Sequence, residues 1–235
     1  MNEPAFSAVL PDDNVSAANC VDVASGLMGD GAANVNVPPQ GVISISDHFK
    51  TRGYVPGGII SNSKAEYLDI EAMPPFLRTL LVTDGTVTKT LEAYFWEGVS
   101  VGNLGQQKIE LDSDIPWLGM KKGDLALRRE VKLQGKESGH VYAFARSILR
   151  LDLLPNHVCE DLLVGRIGIG EMLREYGLET YREILDIGRE IDESLRMVFE
   201  SKQCGELVYR TYRVLMNRQP TMLITEKFPF RLFGR

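Results

Sequence analysis

The stretch Leu125-Ala126-Leu127-Arg128-Arg129-Glu130-Val131-Lys132-Leu133 repeats with a period of two. That is the signature of a β-strand, whose successive side chains point to opposite faces of a sheet. One face reads Leu125, Leu127, Arg129, Val131, Leu133, and the other reads Ala126, Arg128, Glu130, Lys132. Arg129 is the single charge in an otherwise apolar row. A slip of one residue would turn the whole apolar set, Arg129 with it, to the other face, so where Arg129 lies depends on the register. A second strand, His140 to Leu149, puts Arg146 in a row with Tyr142, Phe144 and Ile148. The turn-forming Gly135-Lys136-Glu137-Ser138-Gly139 between them makes the two a hairpin.

Two further strands close the chain, Leu207 to Asn217 and Thr221 to Phe228, joined across Arg218-Gln219-Pro220. On the last, Met222, Ile224, Glu226 and Phe228 share a face, which makes Glu226 a second charge embedded in an apolar row. Arg210 and Arg213 are three apart on one strand and face opposite sides, Arg210 with Tyr212, Val214 and Met216, Arg213 with Tyr209, Thr211 and Leu215. The pattern does not decide which of them turns inward. Desolvating a lone ion costs several kcal/mol, so Arg129 and Glu226 each need a partner or a ligand. Two explanations stand open. Arg129 and Glu226 pair with each other in the core or lie at strand ends in water, or they line a closed apolar pocket with one fixed cation and one carboxylate, suited to a small anion carrying a hydroxyl.

Helical patterns occupy the rest. Met73-Pro74-Pro75-Phe76-Leu77-Arg78-Thr79-Leu80-Leu81-Val82 reads as a helix started at the proline pair, and Asp84-Gly85-Thr86-Val87-Thr88-Lys89 as a turn into a second helix with Asp84 or Thr86 as N-cap. From Pro155 to Lys202 apolar residues recur every three or four positions, at Leu178, Tyr181, Ile184, Ile187, Ile191, Leu195 and Val198. That spacing predicts a helix that lays one stripe on the sheet.

Charge divides the chain. Residues 1–46 hold no Lys or Arg and five acids, so five of the six net negative charges of the 235-residue chain fall there. The remainder is nearly neutral. Residues 1–40 are expected to be a mobile acidic segment, residues 41–72 a lead-in that packs on the body, and residues 73–235 the single domain. A net charge of -6 argues against holding nucleic acid by broad phosphate neutralisation. The three cysteines, Cys20, Cys159 and Cys204, do not form a disulfide framework and point to a reducing compartment. With neither a signal-peptide pattern nor a membrane-length apolar run, the expectation is a cytoplasmic protein with no membrane partner, and a monomer is the simplest arrangement.

The usual catalytic motifs are missing. Gly165-Arg166-Ile167-Gly168-Ile169-Gly170 is glycine-rich but matches neither the dinucleotide fingerprint nor a phosphate loop, and reads as a connection between helices. His157 and Cys159 have only His48 and His140 as further histidines, which argues against a metal site. No nucleophile elbow or triad is present.

In order along the chain, Leu77-Arg78-Thr79-Leu80-Leu81-Val82-Thr83-Asp84-Gly85-Thr86-Val87-Thr88-Lys89-Thr90-Leu91-Glu92, then Leu127-Arg128-Arg129-Glu130-Val131, then Ala145-Arg146-Ser147 with Leu154-Pro155, then Ile169-Gly170 with Ile184-Leu185-Asp186-Ile187-Gly188-Arg189, and last Pro220-Thr221-Met222-Leu223-Ile224-Thr225-Glu226-Lys227-Phe228-Pro229, resemble the motifs of the chorismate pyruvate-lyase family. The resemblance covers residues 73–235 and is nearer to the broader branch of 4-hydroxybenzoate synthases than to the compact ubiquinone-pathway enzymes.

That resemblance implies an α+β fold, an antiparallel β-sheet with helices over one side and helical flaps closing a buried ligand site. It implies a carbon-oxygen lyase that converts chorismate to 4-hydroxybenzoate and pyruvate without a cofactor. Carried over by motif, Arg129 holds the ring carboxylate with backbone amides around Val87 and Ile169, where the family has Met and Leu, and Glu226 meets the 4-hydroxyl. Glu226 and Arg129 are the candidate catalytic residues. The second, enolpyruvyl carboxylate needs another donor, for which Arg146, Arg210 and Arg213 are the candidates. Two alternatives stand beside this reading. The same fold type serves as a non-catalytic effector-binding module in transcription regulators, against which the acidic leading segment counts, and a lyase giving a different chorismate-derived aromatic product would share the same strand motifs.

Overall fold

The computed structural model describes residues 43–44, 58–164, 168–200 and 205–234. The segment expected to be mobile, residues 1–40, lies outside the described residues, as do Cys20, Cys204 and Gly165 to Ile167. Two antiparallel meanders meet edge to edge. The first comprises β4 (Val99–Glu110), β5 (Leu125–Gly135) and β6 (Val141–Leu149), and the second β7 (Thr180–Glu190), β8 (Leu207–Met216) and β9 (Gln219–Pro229). Pairing of β6 with β9 joins them into one six-stranded sheet of order β4-β5-β6-β9-β8-β7. The two expected hairpins, β5–β6 and β8–β9, are both present. No described helix is long and apolar enough to cross a membrane.

Four helices cover one face of this sheet: α1 (Pro75–Val82), α2 (Val87–Phe95), α3 (Asn156–Val164) and α4 (Ile169–Glu175). Helix α1 begins at the second proline, whose missing N–H costs nothing at that position. It buries Leu77, Leu80 and Leu81, which pack with Leu91 of α2 and with Leu133, Val208 and Phe228 of the sheet. A second apolar cluster joins Val158 and Leu162 of α3 and Met172 of α4 to Leu127, Met222 and Ile224. The opposite face is covered by irregular chain: Leu111, Leu118 and Met120 lie on Ala126, while Leu195 meets Phe144 and Leu207. A short α5 (Phe230–Phe233) returns Phe233 to the first cluster.

The region from Pro155 to Lys202 departs from the expected helix. Among the described residues of this span Asn156–Val164 and Ile169–Glu175 are α-helical, Glu193–Leu195 is a single 3-10 turn, and Thr180–Glu190 is the edge strand β7. The register explains the misleading period. Ile184 lies opposite Tyr212 and Ile187 opposite Arg210, with a bulge between Ile184 and Asp186. The extra residue reverses the alternation, so two side chains three apart share one face, as they would on a helix. Strand β4, to which the sequence reading assigns no element, is the other edge. Its middle is exposed and it too is interrupted, between Asn103 and Gly105, so it carries no apolar alternation to detect.

The described part of the lead-in forms β2 (Ile59–Ser61) and β3 (Tyr67–Asp69), with β2 also paired to the two-residue β1 (Ile43–Ser44). Ile60, Leu68 and Ile70 enter the first core cluster. A buried polar contact fastens this hairpin to the second meander. The Ser63 backbone N–H and hydroxyl donate to Asp186, at 2.9 and 2.6 Å, and the Tyr209 hydroxyl donates to the same carboxylate at 3.2 Å. Gly188 makes room for it, because a Cβ there would lie 2.5 Å from the Tyr209 hydroxyl oxygen and 2.6 Å from its ring. With that ring buried and its hydroxyl engaged, Gly188→Ala is expected to lower stability by about 1–3 kcal/mol. Denaturant unfolding measures this, and an unchanged midpoint would contradict the packing account.

The turn between β5 and β6 is organised by Glu97. Its carboxylate accepts from the Tyr142 hydroxyl, from the backbone N–H groups of Glu137 and Ser138, both at 2.9 Å, and from the Ser138 hydroxyl at 2.7 Å. The Tyr142 bond first, then those from Ser138, hold the Glu97 carboxyl down at about 2, from an ordinary 4.5. A depressed folded-state pKa contributes stability above the unfolded value, and that contribution is lost as pH falls from about 4.5 towards 2. Thermal midpoints of the wild type should therefore fall more steeply across this window than those of Glu97→Gln, and parallel profiles would refute the assignment.

Candidate functional site

Between the sheet and its helices lies a cavity of about 400 Å³. Its floor is set by the register of the central strands. Ala145 and Ser147 of β6 both line it. On one side they face Val131 and Arg129 of β5, and on the other Glu226 and Ile224 of β9. Two small side chains on the middle strand leave a trough, with larger residues of the neighbouring strands as its walls. Arg129 and Glu226 stand on opposite walls, two strands and two residues apart, so their Cα atoms are separated by about 12 Å from ordinary strand spacings.

Both charges are at mid-strand and buried, Arg129 with 2% and Glu226 with 6% of its surface exposed. The explanation that places them at strand ends in water therefore does not hold. Nor do they pair with each other. Glu226 accepts from Arg210 Nε at Oε2, 2.8 Å away, and from the Tyr212 hydroxyl at Oε1, 3.2 Å away. Burial pushes the Arg129 guanidinium below its usual range. Burial also pushes the Tyr212 hydroxyl up and the Glu226 charge adds to the rise, while the Arg210 and Arg182 charges oppose it. Tyr212 is thus kept protonated and able to donate to Glu226.

Arg210 lies directly across from Glu226 in the β8–β9 pairing and is itself 1% exposed. Besides Glu226 it reaches the Thr83 carbonyl oxygen through Nη1 at 2.6 Å, and its guanidinium lies 4.9 Å from the Tyr212 ring centroid. One cation thereby fixes both the carboxylate on the wall and the chain leading into α2.

The first turns of α2 and α4 form the roof. Gly85, Thr86 and Val87 line it on one side and Gly168, Ile169 and Gly170 on the other. Neither N-cap residue, Thr86 or Gly168, caps its helix through a side chain. The leading N–H groups of a helix have no partner within it and attract anions. The two helix starts touch, since a Cβ on Gly170 would come within 3.2 Å of Thr86 Cγ2. Val87 and Ile169 are accordingly brought to one roof from helices far apart in sequence.

The remaining arginines divide differently from the sequence expectation. Arg146 is on the reverse face, in a half-exposed pair with Glu130 at 2.8 Å. Arg213 is also turned away, bonded to Glu183 at 2.7 Å and to the Trp117 carbonyl oxygen at 3.2 Å. Neither lines the cavity, and Arg210 stands behind Glu226 in the inward-facing row. Arg182 of β7, which the sequence reading did not name, does line the wall, opposite Val214 and bonded to the Asp84 carbonyl oxygen. Reading Thr180–Glu190 as helix hid it. Strand parity places Arg182 with Ile184, and the bulge places Ile184 with Ile187.

This arrangement can take a small flat anion, with a guanidinium at one end, a carboxylate at the other and helix N–H groups above. Chorismate pyruvate-lyase of Mycobacterium leprae (strain TN) is 29% identical over 165 residues, spanning 68% of this chain and 77% of its own. Chorismate pyruvate-lyase of Mycobacterium tuberculosis (strain ATCC 25618 / H37Rv) is 27% identical over 156 residues, 65% of this chain and 78% of its own. Among solved structures, PhnF from Mycobacterium smegmatis superposes with a TM-score of 0.49 at 12% identity, over 63% of this chain and 65% of its own. The profile of the family described as Chorismate pyruvate-lyase Rv2949c-like matches residues 81–234, so the chain belongs to that family.

Proposed function

We propose that the protein converts chorismate to 4-hydroxybenzoate and pyruvate. The observation that carries this reading is the pair of buried charges on opposite walls of one trough, Arg129 and Glu226, above a floor of Ala145 and Ser147. Arg129 takes the ring carboxylate, a charge-assisted contact in a site that excludes water. Backbone N–H groups at Val87 and Ile169 add to it from the roof. Glu226, its two oxygens already oriented by Arg210 and Tyr212, keeps acceptor capacity for the 4-hydroxyl.

The chemistry asks little covalent work of the protein. The bond between C3 and the ether oxygen breaks, C4 gives up its proton, and the freed electron pair completes the aromatic ring. The departing enolate takes up a proton and becomes pyruvate. Because aromatisation supplies the driving force, the site mainly holds a reactive conformer and keeps water out. Glu226 orients the hydroxyl and is the group placed to assist proton transfer.

Purified protein mixed with chorismate should release pyruvate and 4-hydroxybenzoate in equal amounts. A different aromatic acid alongside pyruvate, or binding without turnover, would contradict the reading. Arg129→Ala should weaken 4-hydroxybenzoate binding by about 2–5 kcal/mol while the protein remains folded by circular dichroism. Unaltered affinity would remove the carboxylate assignment. Glu226→Gln should lower turnover by about two to four orders of magnitude if the carboxylate moves a proton, and full turnover would leave it an orienting role only.

A further inference from the structure

The sequence named three arginines for the second carboxylate of the substrate, and none of them lines the cavity. Among the described residues five cations do: Arg129, Arg182, Arg174, Lys89 and Lys136. Three are at the rim. Lys89 is 60% exposed and tied to Glu92 at 2.7 Å, and Arg174 and Lys136 are exposed. Rim cations in water steer an anion more than they hold it. Arg129 is buried and Arg182 is half-buried.

Arg182 keeps most of its binding capacity. Among the described residues its one hydrogen bond is to the Asp84 carbonyl oxygen, and a guanidinium carries further N–H donors. Among the described residues no carboxylate lies within ion-pair distance of it. Its position follows from the strand order. Across the sheet the inward groups run Arg129 on β5, the small floor on β6, Glu226 on β9, Tyr212 on β8 and Arg182 on β7. Across the strands Arg182 therefore lies beyond Glu226, on the side away from Arg129, while along them it is level with Val214 and Met222, four residues from Glu226, and its charge reaches the Tyr212 phenol.

This order matches a particular anion. In chorismate the ring carboxylate is at one end, the hydroxyl is opposite, and the enolpyruvyl ether is on the carbon next to the hydroxyl. A ligand with its carboxylate on Arg129 and its hydroxyl on Glu226 carries the second carboxylate to one side of that line, and with the ether-bearing edge of the ring turned towards β7 that is the side on which Arg182 stands. We infer that Arg182 is the specificity-determining residue that binds the enolpyruvyl carboxylate and so selects a dianionic substrate over the monoanionic product. The inference rests on the reading under Proposed function. Departure of pyruvate then removes the group Arg182 holds, and the aromatic product keeps only the Arg129 end.

Two ligands that differ by the enolpyruvyl group test this. In Arg182→Gln the KM for chorismate, followed by pyruvate release, should rise about ten- to hundred-fold, the scale of one charge-assisted hydrogen bond. Affinity for 4-hydroxybenzoate, measured by calorimetric titration, should change by less than about two-fold on the same scale. Arg182→Lys should recover part of the loss. The unchanged product affinity also serves as the control for the Asp84 contact, because a displaced α2 entry would disturb the roof N–H groups and weaken both ligands. Equal weakening of both ligands, or an unchanged KM for chorismate, would overturn the inference while leaving the lyase reading intact. Wild-type protein that neither binds nor turns over chorismate would overturn both.

Discussion

The pair between Arg210 and Glu226 ties the two halves of this site together. It is almost wholly buried, 2.8 Å long, and formed by residues directly opposite on adjacent strands. Such a pair contributes little net stability, because desolvation offsets most of the attraction, yet removing one partner leaves a buried charge and costs about 3–5 kcal/mol. Its value here is geometric. Arg210 holds Glu226 through Nε and the Thr83 carbonyl through Nη1, so the carboxylate on the wall and the entry to α2 in the roof share one anchor. Arg182 repeats the device one residue later, at Asp84. Wall and roof are thereby registered to each other.

The trough itself depends on residues that do little chemistry. Ala145 and Ser147 are small where their neighbours on β5 and β9 are large, and this size difference on the central strand creates the space a ring would fill. The roof closes because Gly170 lets α4 approach Thr86, and because Gly168 lies close to Val101, where a Cβ would come within 3.2 Å of Cγ2. A larger side chain at any of these positions would occupy the cavity or lift its cover. The second meander is steadied from outside by the Ser63–Asp186–Tyr209 contact, so the lead-in hairpin supports the strands that carry Arg182 and Arg210.

The strands at the centre of the sheet were legible in the sequence because one of their faces is buried. Period-two alternation identified β5, β6, β8 and β9, and it singled out Arg129 and Glu226 as charges that had to be accounted for. The edges were not legible. Strand β4 is largely exposed and needs no apolar row, and the bulge in β7 gave it a helical spacing. Misreading β7 had a direct cost at the site, since Arg182 lies on it. Parity also could not choose between Arg210 and Arg213, because choosing requires knowing which face of β8 the helices cover. Arg146 shows the limit from the other side: its row is well ordered, but that row faces away from the cavity and Glu130 meets it there. The family resemblance located Val87 and Ile169, which no periodicity marks, because what they offer is main-chain N–H groups at helix starts.

All of this requires that a ligand lie across β6 with its carboxylate towards β5 and its hydroxyl towards β9. The most direct measurement is a crystal structure with 4-hydroxybenzoate bound. The predicted result is a carboxylate within hydrogen-bonding distance of the Arg129 guanidinium and the phenolic oxygen at Glu226, with the ring over Ala145 and Ser147. A product bound in the reverse direction, with its carboxylate at Arg182, or bound outside this cavity, would contradict the account.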